Sequence, residues 1–314
     1  MSTWLGDQGQ RRGPIRPRLR IYVLWGQSHI QGTKSHASGV PDVPWPRFGA
    51  PVPGALIWDK LGRLNRANLD LVDTEQAGEA HRFRPLGAGF GAGGPNYPWV
   101  DPGPDPSFGP ELVLAHNLRM WSGESVAIVK FAVSGSQVAD LDDVPNWNVA
   151  ALGRGDFSHL QVLLEAYLAP ARSAAARDFP PAGLPVAWGG VISMIGTSDA
   201  RHEQDAVAYG QNLTGIIQHV RHWMHPAHPE RVPWLVLQSP RYVDPDGLEL
   251  AHIRTVRTAQ AKVANALPGV DVADCVDSRL GGTHFEPRGT AALGALMARW
   301  ALRTPPLDWV PAAV

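Results

Sequence analysis

The chain has 314 residues, a formal net charge of −1 and a single cysteine, Cys275. The balanced charge argues against a polynucleotide partner, because nucleic-acid binding normally needs a basic face. One cysteine permits neither an intrachain disulfide nor a thiolate zinc site. No apolar run approaches the roughly 18 residues of a membrane span. The N-terminus also lacks the basic region, apolar region and small-residue cleavage site that follow one another in a signal peptide. These features predict a soluble protein that is cytoplasmic or part of a particle or assembly.

The N-terminal segment, residues 1–19, is rich in arginine and poor in apolar residues, so it cannot bury enough surface to fold on its own. We interpret it as an arm that is either a solvated tail or a docking segment for an assembly partner. Residues 20–303 are predicted to form one domain, because α/β folds of this size often comprise a single unit. Residues 304–314 are then a C-terminal tail.

Apolar, β-branched runs alternate along the chain with segments of helical periodicity, which is typical of parallel strands joined by helices. The predicted strands are Arg20–Trp25, Ser125–Ala132, Pro185–Met194, Pro233–Gln238 and Gly269–Asp274. The predicted helices are Pro110–Trp121, His159–Asp178, Gln204–Met224, Leu248–Leu267 and Pro287–Leu302. Strands that are apolar on both faces require helices on both sides. The predicted fold is therefore a three-layer α/β/α sandwich with a parallel sheet of about five strands.

The helix Gln204–Met224 carries an apolar stripe at helical spacing, which predicts a face turned toward the core. Its members are Val207, Leu213, Ile216, Ile217, Val220 and Met224.

The segment at about residues 33–106 is rich in Gly, Pro and Trp, and only Leu64–Val72 within it suggests a helix. A connection of this length is expected to build a wall of the binding site. Four tryptophans are expected either to edge the cleft, where sugar rings would stack, or to pack loops onto the body. They are Trp45, Trp58, Trp99 and Trp147.

The first predicted strand runs directly into Gly26, Gln27, Ser28 and His29, and the motif closes at Gly32. A serine at the carboxyl end of the first strand of a parallel sheet lies where open α/β folds bind ligands. Glycines on either side permit tight backbone turns. The residues alone fit either a nucleophilic serine or an ordinary turn.

The segment WGQSHIQG resembles the opening motif of the SGNH hydrolases, in the branch of the sialate O-acetylesterases and related acetylxylan esterases, which begins with a strand and GQSN-x-x-G. Further blocks of that branch follow in the same order. They are FGPELVLAHNL at residues 108–118, VKFAVSGSQVADL at 129–141, SMIGTSDA at 193–200 and GGTHFEPRGTAALG at 281–294. The resemblance rests on the order of the blocks. It implies the SGNH-type α/β fold, a carbohydrate O-acetylesterase activity and no cofactor.

The resemblance implies that Ser28 is the nucleophile, that His284 is the general base, and that the backbone N–H groups of Ser28 and Gly135 bind the oxyanion. Two positions depart from the family. The acid three residues before the histidine is Gly281, and the glutamine that donates to the oxyanion is Ile195. Loss of one oxyanion donor costs about 10²–10³ in rate and loss of the orienting acid about 10⁴, so the activity is predicted to be attenuated.

Other groups are candidates to replace or support the missing ones. Asp199 retains the last carboxylate of its block, and Asp277 and Glu286 flank the position of the lost acid. His29 places a second imidazole next to the nucleophile, where the family has asparagine. For each carboxylate the alternative is a capping or solvated residue.

The histidines at 219, 222, 225 and 228 recur every third residue. On a helix this spacing rotates successive side chains by about 300°, and Pro226 interrupts the run, so four ligands do not converge. We predict no metal site here.

Together these residues predict a serine esterase that removes O-acetyl groups from a carbohydrate, attenuated by the changes at Gly281 and Ile195. The alternative is a catalytically inactive SGNH-like protein that binds a glycan or serves as a structural component of a larger assembly. Ser28, Gly135 and His284 favour the first, and the two changes favour the second.

Overall fold

In a computed structural model of the chain, the described residues are 19–33, 35–40, 50–59, 83–91, 106–140, 145–153, 159–178, 186–241, 250–275, 280–281 and 284–308. Residues 1–18 of the predicted arm, the predicted helix Leu64–Val72, Trp45, Trp99 and Asp277 lie outside them.

The strands, in chain order, are β1 (Leu19–Gly26), β2 (Ala55–Asp59), β3 (Arg84–Pro85), β4 (Ser125–Ala132), β5 (Val186–Met194), β6 (Trp234–Leu237), β7 (Val270–Ala273), β8 (Leu280–Gly281), β9 (His284–Phe285) and β10 (Leu307–Asp308). The α-helices are α1 (Ser28–Gln31), α2 (Pro110–Ser122), α3 (His159–Val162), α4 (Ala169–Asp178), α5 (Glu203–Met224), α6 (Ile253–Ala266) and α7 (Pro287–Arg303). Among the described helices, none combines the length and the apolar character needed to cross a membrane.

One large sheet has the strand order β3-β2-β4-β1-β5-β6-β7, and β10 pairs with β5. The strands from β2 to β7 in this order run parallel, whereas β3 and β10 are antiparallel to their partners. All five predicted strands lie in this sheet, so the predicted fold class is confirmed.

The sheet is larger than predicted because β2, β3 and β10 join it. β3 and β10 have only two residues each, which is too short for periodicity to show. β2 lies within the segment rich in Gly and Pro, where no alternation marks a strand. β10 also shows that the predicted C-terminal tail, residues 304–314, is wrong at Leu307 and Asp308.

The central strand β1 is buried on both faces. The odd-numbered residues from Leu19 to Trp25 belong to an apolar cluster with α5 and α6, whereas Tyr22 and Leu24 belong to a second cluster with α2 and α7. This division follows from the alternation of side chains along a strand. It places helices on both faces of the sheet and gives the three layers that the sequence predicts.

The predicted stripe on α5 is confirmed from Leu213 to Met224, where its members are buried, but it is wrong at Val207, which is 71% exposed. Six residues separate Val207 from Leu213, which rotates the side chain by about 240° around the helix. Ala206 and Tyr209, seven and four residues before Leu213, are buried in its place.

The predicted helix His159–Asp178 is not uniform, because a π-helical segment, Leu163–Leu168, joins α3 to α4. The backbone N–H of Ala169 donates to the carbonyl of Leu164, five residues earlier. Pro170 explains the irregularity, since its ring clashes with the carbonyl four residues before it and it has no N–H to donate. A π-bulge accommodates such a break.

His159 is fully buried against Trp147 and Phe131, and neither of its ring nitrogens has a hydrogen-bond partner among the described residues. Burial lowers its pKa to about 3. Between pH 6.5 and 3 the unfolded chain binds a proton at this residue that the folded chain does not, so stability falls as the pH falls. This cost is absent from a variant with an apolar residue.

We expect His159→Leu to raise the free energy of unfolding relative to wild type, and we expect this gain to grow by about 3 kcal/mol between pH 7 and pH 4. Urea unfolding at several pH values measures the difference. His222→Phe, at an exposed position of α5, is the control and should show no such growth. Parallel stability curves for His159→Leu and wild type would contradict the prediction.

Candidate active site

The candidate active site lies where three parallel strands end side by side. Gly26, the last residue of β1, pairs with Ala132 of β4 and with Met194 of β5. Ser28 lies in the segment that follows β1, and Gly135 lies in the segment that follows β4. The two segments therefore begin next to each other at the carboxyl edge of the sheet. The carboxyl edge is where open parallel sheets bind ligands.

Gln27 connects the segments that follow all three strands. Its Oε1 accepts hydrogen bonds from the backbone N–H groups of Gly196 and Thr197, both at 3.0 Å. Its Nε2 donates to the carbonyl of Ser136 at 3.2 Å and to the hydroxyl of Ser198 at 3.0 Å. The buried amide is satisfied at both its oxygen and its nitrogen. Gln27 therefore fixes the loops after β4 and β5 relative to the end of β1.

Gly26 is required by close backbone contact. Its φ is 146°, and a Cβ built there would lie 2.1 Å from the carbonyl oxygen of Met194. A residue with a side chain rarely adopts this φ, and its Cβ would clash with the carbonyl of Met194. The chain turns tightly against β5 at this point and passes into α1.

Ser28 is the first residue of α1 and is 8% exposed. Its backbone carbonyl accepts hydrogen bonds from the N–H groups of Gly32 and Thr33, at 3.1 and 3.3 Å. The turn that contains Ser28 is thus held through its backbone.

Gly135 lies in an exposed turn after β4, with a φ of 77°. The next residue, Ser136, anchors this turn because its hydroxyl donates to the carbonyl of Val133 at 2.7 Å. The same hydroxyl accepts a hydrogen bond from Nε1 of Trp147 at 2.8 Å. The turn is therefore tied to the core next to β4.

His284 lies in β9, which forms an antiparallel pair with β8 in which His284 is directly opposite Gly281. Its ring centroid lies 5.6 Å from that of His29, the second residue of α1. The fold thus brings the predicted base beside the short helix that begins with Ser28, although 255 residues separate 29 from 284 in the chain.

The pairing of Gly281 with His284 shows where an acid at position 281, which the resemblance implies, would lie. Residues directly opposite each other in an antiparallel pair project their side chains to the same face, with Cβ atoms about 5 Å apart. A carboxylate at 281 would therefore face the imidazole of His284. Glycine leaves that position without a side chain.

His29 is 3% exposed and packs between His284 and Phe285, whose ring centroid lies 4.7 Å away. Burial lowers the pKa of His29 to about 3, and the neighbouring His284 adds to the shift. His29 is therefore neutral at physiological pH. Its Nδ1 has no hydrogen-bond partner among the described residues.

Asp199 is fully buried, and its Oδ1 accepts hydrogen bonds from the backbone N–H groups of Val138 and Ala139, at 2.9 and 3.0 Å. Burial raises its pKa to about 7, although the two donors oppose the shift. These contacts make Asp199 a support for the loop after β4. They give no support to a role for it in orienting His284.

Ile195 is 2% exposed and belongs to the apolar cluster with α5 and α6. Its carbonyl accepts hydrogen bonds from Tyr209 Oη at 2.8 Å, Gln260 Nε2 at 2.9 Å and Ser239 Oγ at 3.0 Å. The side chain at this position is thus part of the core and donates no hydrogen bond to the site.

The remaining predicted site residues, Glu286, Trp58 and Trp147, lie either at the surface or in the core. Glu286 is exposed and stands at the N-terminal boundary of α7, where its side chain makes no capping hydrogen bond. Trp58 and Trp147 are buried in the core, so the expectation that they edge the cleft is wrong and the packing alternative is right.

The chain resembles known carbohydrate esterases in sequence and in fold. The profile of the family described as carbohydrate esterase, sialic acid-specific acetylesterase, matches residues 18–303. No curated protein sequence matches the chain.

Solved structures show the same fold at low identity. A protein from Arabidopsis thaliana has a TM-score of 0.58 and 18% identity, over 92% of this chain and 100% of its own. NanS has a TM-score of 0.59 and 14% identity, over 92% and 98%. A carbohydrate acetylesterase from Xanthomonas citri has a TM-score of 0.54 and 18% identity, over 91% of this chain and 56% of its own.

Proposed function

The chain belongs to the carbohydrate esterase family of sialic acid-specific acetylesterases, and from this premise we propose that it is a serine esterase that removes O-acetyl groups from a carbohydrate. Ser28 is the nucleophile, His284 is the general base, and the backbone N–H groups of Ser28 and Gly135 bind the oxyanion. The substrate is an acetyl ester of a sugar hydroxyl.

In the first half of the reaction, Ser28 Oγ attacks the acetyl carbonyl carbon while His284 takes the hydroxyl proton. The carbonyl oxygen becomes an oxyanion, to which the two backbone N–H groups donate. The bond between the carbonyl carbon and the sugar oxygen then breaks, and His284 returns the proton to that oxygen. The sugar leaves with a free hydroxyl, and the acetyl group stays on Ser28.

In the second half, a water molecule attacks the acetyl carbonyl carbon and gives a proton to His284. The same two N–H groups bind the second oxyanion. The bond to Ser28 Oγ breaks, Ser28 regains its proton from His284, and acetic acid leaves and gives its remaining proton to the solvent as acetate. Every other proton moves through the one imidazole.

The contact between the His284 and His29 rings, at 5.6 Å between centroids, carries this proposal. His29 directly follows Ser28 in α1, so the contact supports the pairing of His284 as base with Ser28 as nucleophile. The common edge of β1 and β4 adds the turn with Gly135. General base catalysis requires the imidazole within hydrogen-bond reach of the Ser28 hydroxyl, and a base beside α1 supports that arrangement.

Gly281 and Ile195 favour a second candidate, a protein that binds an O-acetylated glycan with little or no turnover. Gly281 has no side chain that could orient His284, and the side chain of Ile195 belongs to the core. Backbone N–H groups can still bind the acetyl oxygen when the side chains at positions 281 and 195 differ. The site can therefore bind an O-acetylated glycan even if it hydrolyses the ester slowly or not at all.

A fluorophosphonate probe, which reacts covalently with activated serines, distinguishes the two candidates. We expect the folded protein to take up the probe on the peptide that contains residue 28, whereas heat-denatured protein should not react. Labelling of other sites only, or none, would refute the esterase. Binding of O-acetylated sialic acid by calorimetry, without release of acetate, would then identify the glycan binder.

A further inference from the structure

A fully buried lysine lies beside the last residue of α1. Lys130 belongs to β4, and its Nζ forms an ion pair with Glu111 Oε2 at 3.0 Å, with both side chains 0% exposed. The same Nζ donates to the backbone carbonyls of Phe90 at 2.7 Å and Gln31 at 3.3 Å. Charged side chains are seldom buried unless they are paired, and here three oxygens surround the ammonium group.

Glu111 lies in the first turn of α2, and its Oε1 accepts a hydrogen bond from the backbone N–H of Gly109 at 3.0 Å. Burial raises the pKa of Glu111, and the ammonium group of Lys130 opposes this shift. A Cβ built at Gly109 would lie 2.7 Å from Lys130 Nζ and 2.9 Å from the carbonyl oxygen of Ile30. The start of α2, the ion pair and α1 therefore meet at one point.

The helix α1 depends on these contacts because it has only four residues. A single turn is not stable alone, and the carbonyl groups at its end have no partners within the helix. Gln31 is tied twice to β4, since Lys130 donates to its carbonyl and its own Nε2 donates to the carbonyl of Ala132 at 2.7 Å. The orientation of α1 is thus set by β4.

Stability is a weak explanation for a pair buried this completely. The cost of removing both charges from water offsets their attraction, and replacing both by apolar residues is often neutral or stabilising. Removing one partner only leaves an unpaired buried charge. An apolar pair, however, supplies no donor for the carbonyls of Gln31 and Phe90.

We infer that Lys130 and Glu111 are positioning residues, which fix α1 and so set where the Ser28 hydroxyl stands relative to the acetyl carbonyl. The inference rests on the proposed esterase function. Misplacement of a reacting group by about 1 Å can cost 10²-fold in rate. A loss of rate in a variant that remains folded therefore separates a positioning role from a purely structural one.

The test is the double variant Lys130→Met/Glu111→Leu. We expect kcat for an acetyl ester to fall about 10- to 100-fold, with KM within about twofold of wild type. Tm reports the stability separately, because removing the two buried charges is often neutral or stabilising, whereas the carbonyls of Gln31 and Phe90 lose their donor. The rate of fluorophosphonate labelling should fall by the same factor as kcat. The amides of Gly32 and Thr33, which donate to the carbonyl of Ser28, should exchange at least about tenfold faster with deuterium.

A second ion pair provides a matched control. Arg20 Nε lies 2.5 Å from Glu124 Oε2. Arg20 is the second residue of β1 and Glu124 directly precedes β4, so the pair lies at the end of these strands away from α1. In Arg20→Met/Glu124→Leu we expect kcat, the labelling rate and the exchange of the two amides to match wild type.

A folded double variant of Lys130 and Glu111 with wild-type kcat, labelling and amide exchange would overturn the inference. If that variant fails to fold, Gln31→Met removes the side-chain bond to Ala132 instead, and unchanged kcat and exchange in it would have the same consequence. If the wild type neither labels nor hydrolyses esters, the proposed function fails by itself. The exchange of Gly32 and Thr33 then still decides whether the pair fixes α1.

Discussion

Replacing Ser28 with alanine is expected to lower kcat for hydrolysis of an acetyl ester at least about 1,000-fold. The variant retains the imidazole and the backbone donors to the oxyanion, but it lacks the oxygen that carries the acetyl group. In serine hydrolases, loss of the nucleophile leaves only the residual catalysis provided by binding and the oxyanion hole. Initial rates with p-nitrophenyl acetate and with O-acetylated sialic acid measure the effect.

The fold should survive this substitution because α1 is closed through the backbone carbonyl of Ser28, which accepts from Gly32 and Thr33. Circular dichroism and Tm should therefore match wild type. Ser173→Ala, which removes a hydroxyl that donates to the carbonyl of Ala169 within α4, is the control and should keep full activity. Turnover that persists in Ser28→Ala would remove Ser28 from the mechanism.

The elements that could be predicted from the sequence are those in which a local pattern is long enough to be unambiguous. The strand Ser125–Ala132 has the predicted bounds, and the helix predicted from Pro110 begins at that residue. Both are extended apolar patterns, and a proline in the first helical turn costs no hydrogen bond. In contrast, β2 has five residues within a segment rich in Gly and Pro, where no periodicity develops.

The contacts that build the candidate site could not be predicted in the same way, because they join residues that are far apart in the chain. The side-chain amide of Gln27 reaches Ser136 and Ser198, which are 109 and 171 positions away. The sequence shows only a polar residue between a glycine and a serine. Likewise, the pairing of Lys130 with Glu111 depends on how α2 packs against β4, which no local pattern specifies.

Single residues such as Ile195 and Asp199 are visible in the sequence, but their roles depend on their surroundings. Ile195 is buried, and three donors bind its carbonyl, so the backbone there is fixed regardless of its side chain. Asp199 is a candidate acid because it retains the last carboxylate of its sequence block. Its hydrogen bonds to Val138 and Ala139 show that the same carboxylate holds a loop.

Restoring a carboxylate by Gly281→Asp is expected to raise kcat about 100-fold, because the residue opposite His284 can then orient the imidazole and stabilise its protonated form. The gain should not reach the roughly 10⁴-fold cost of losing an orienting acid in serine proteases, since Ile195 still provides no oxyanion donor. A nearby negative charge favours the protonated imidazole. The acidic limb of the pH–rate profile should therefore move to higher pH.

Gly281→Asn separates charge from shape, because the amide has nearly the same size but no charge. It should give a small gain in kcat and leave the acidic limb in place. In a His284→Ala background, Gly281→Asp should have no effect, since the group that it orients is absent. Equal rates for wild type, Gly281→Asp and Gly281→Asn, all folded, would mean that residue 281 does not govern His284, either because another acid already orients the imidazole or because the site no longer catalyses the reaction. A low rate would then point to Ile195, whose side chain belongs to the core and donates no hydrogen bond.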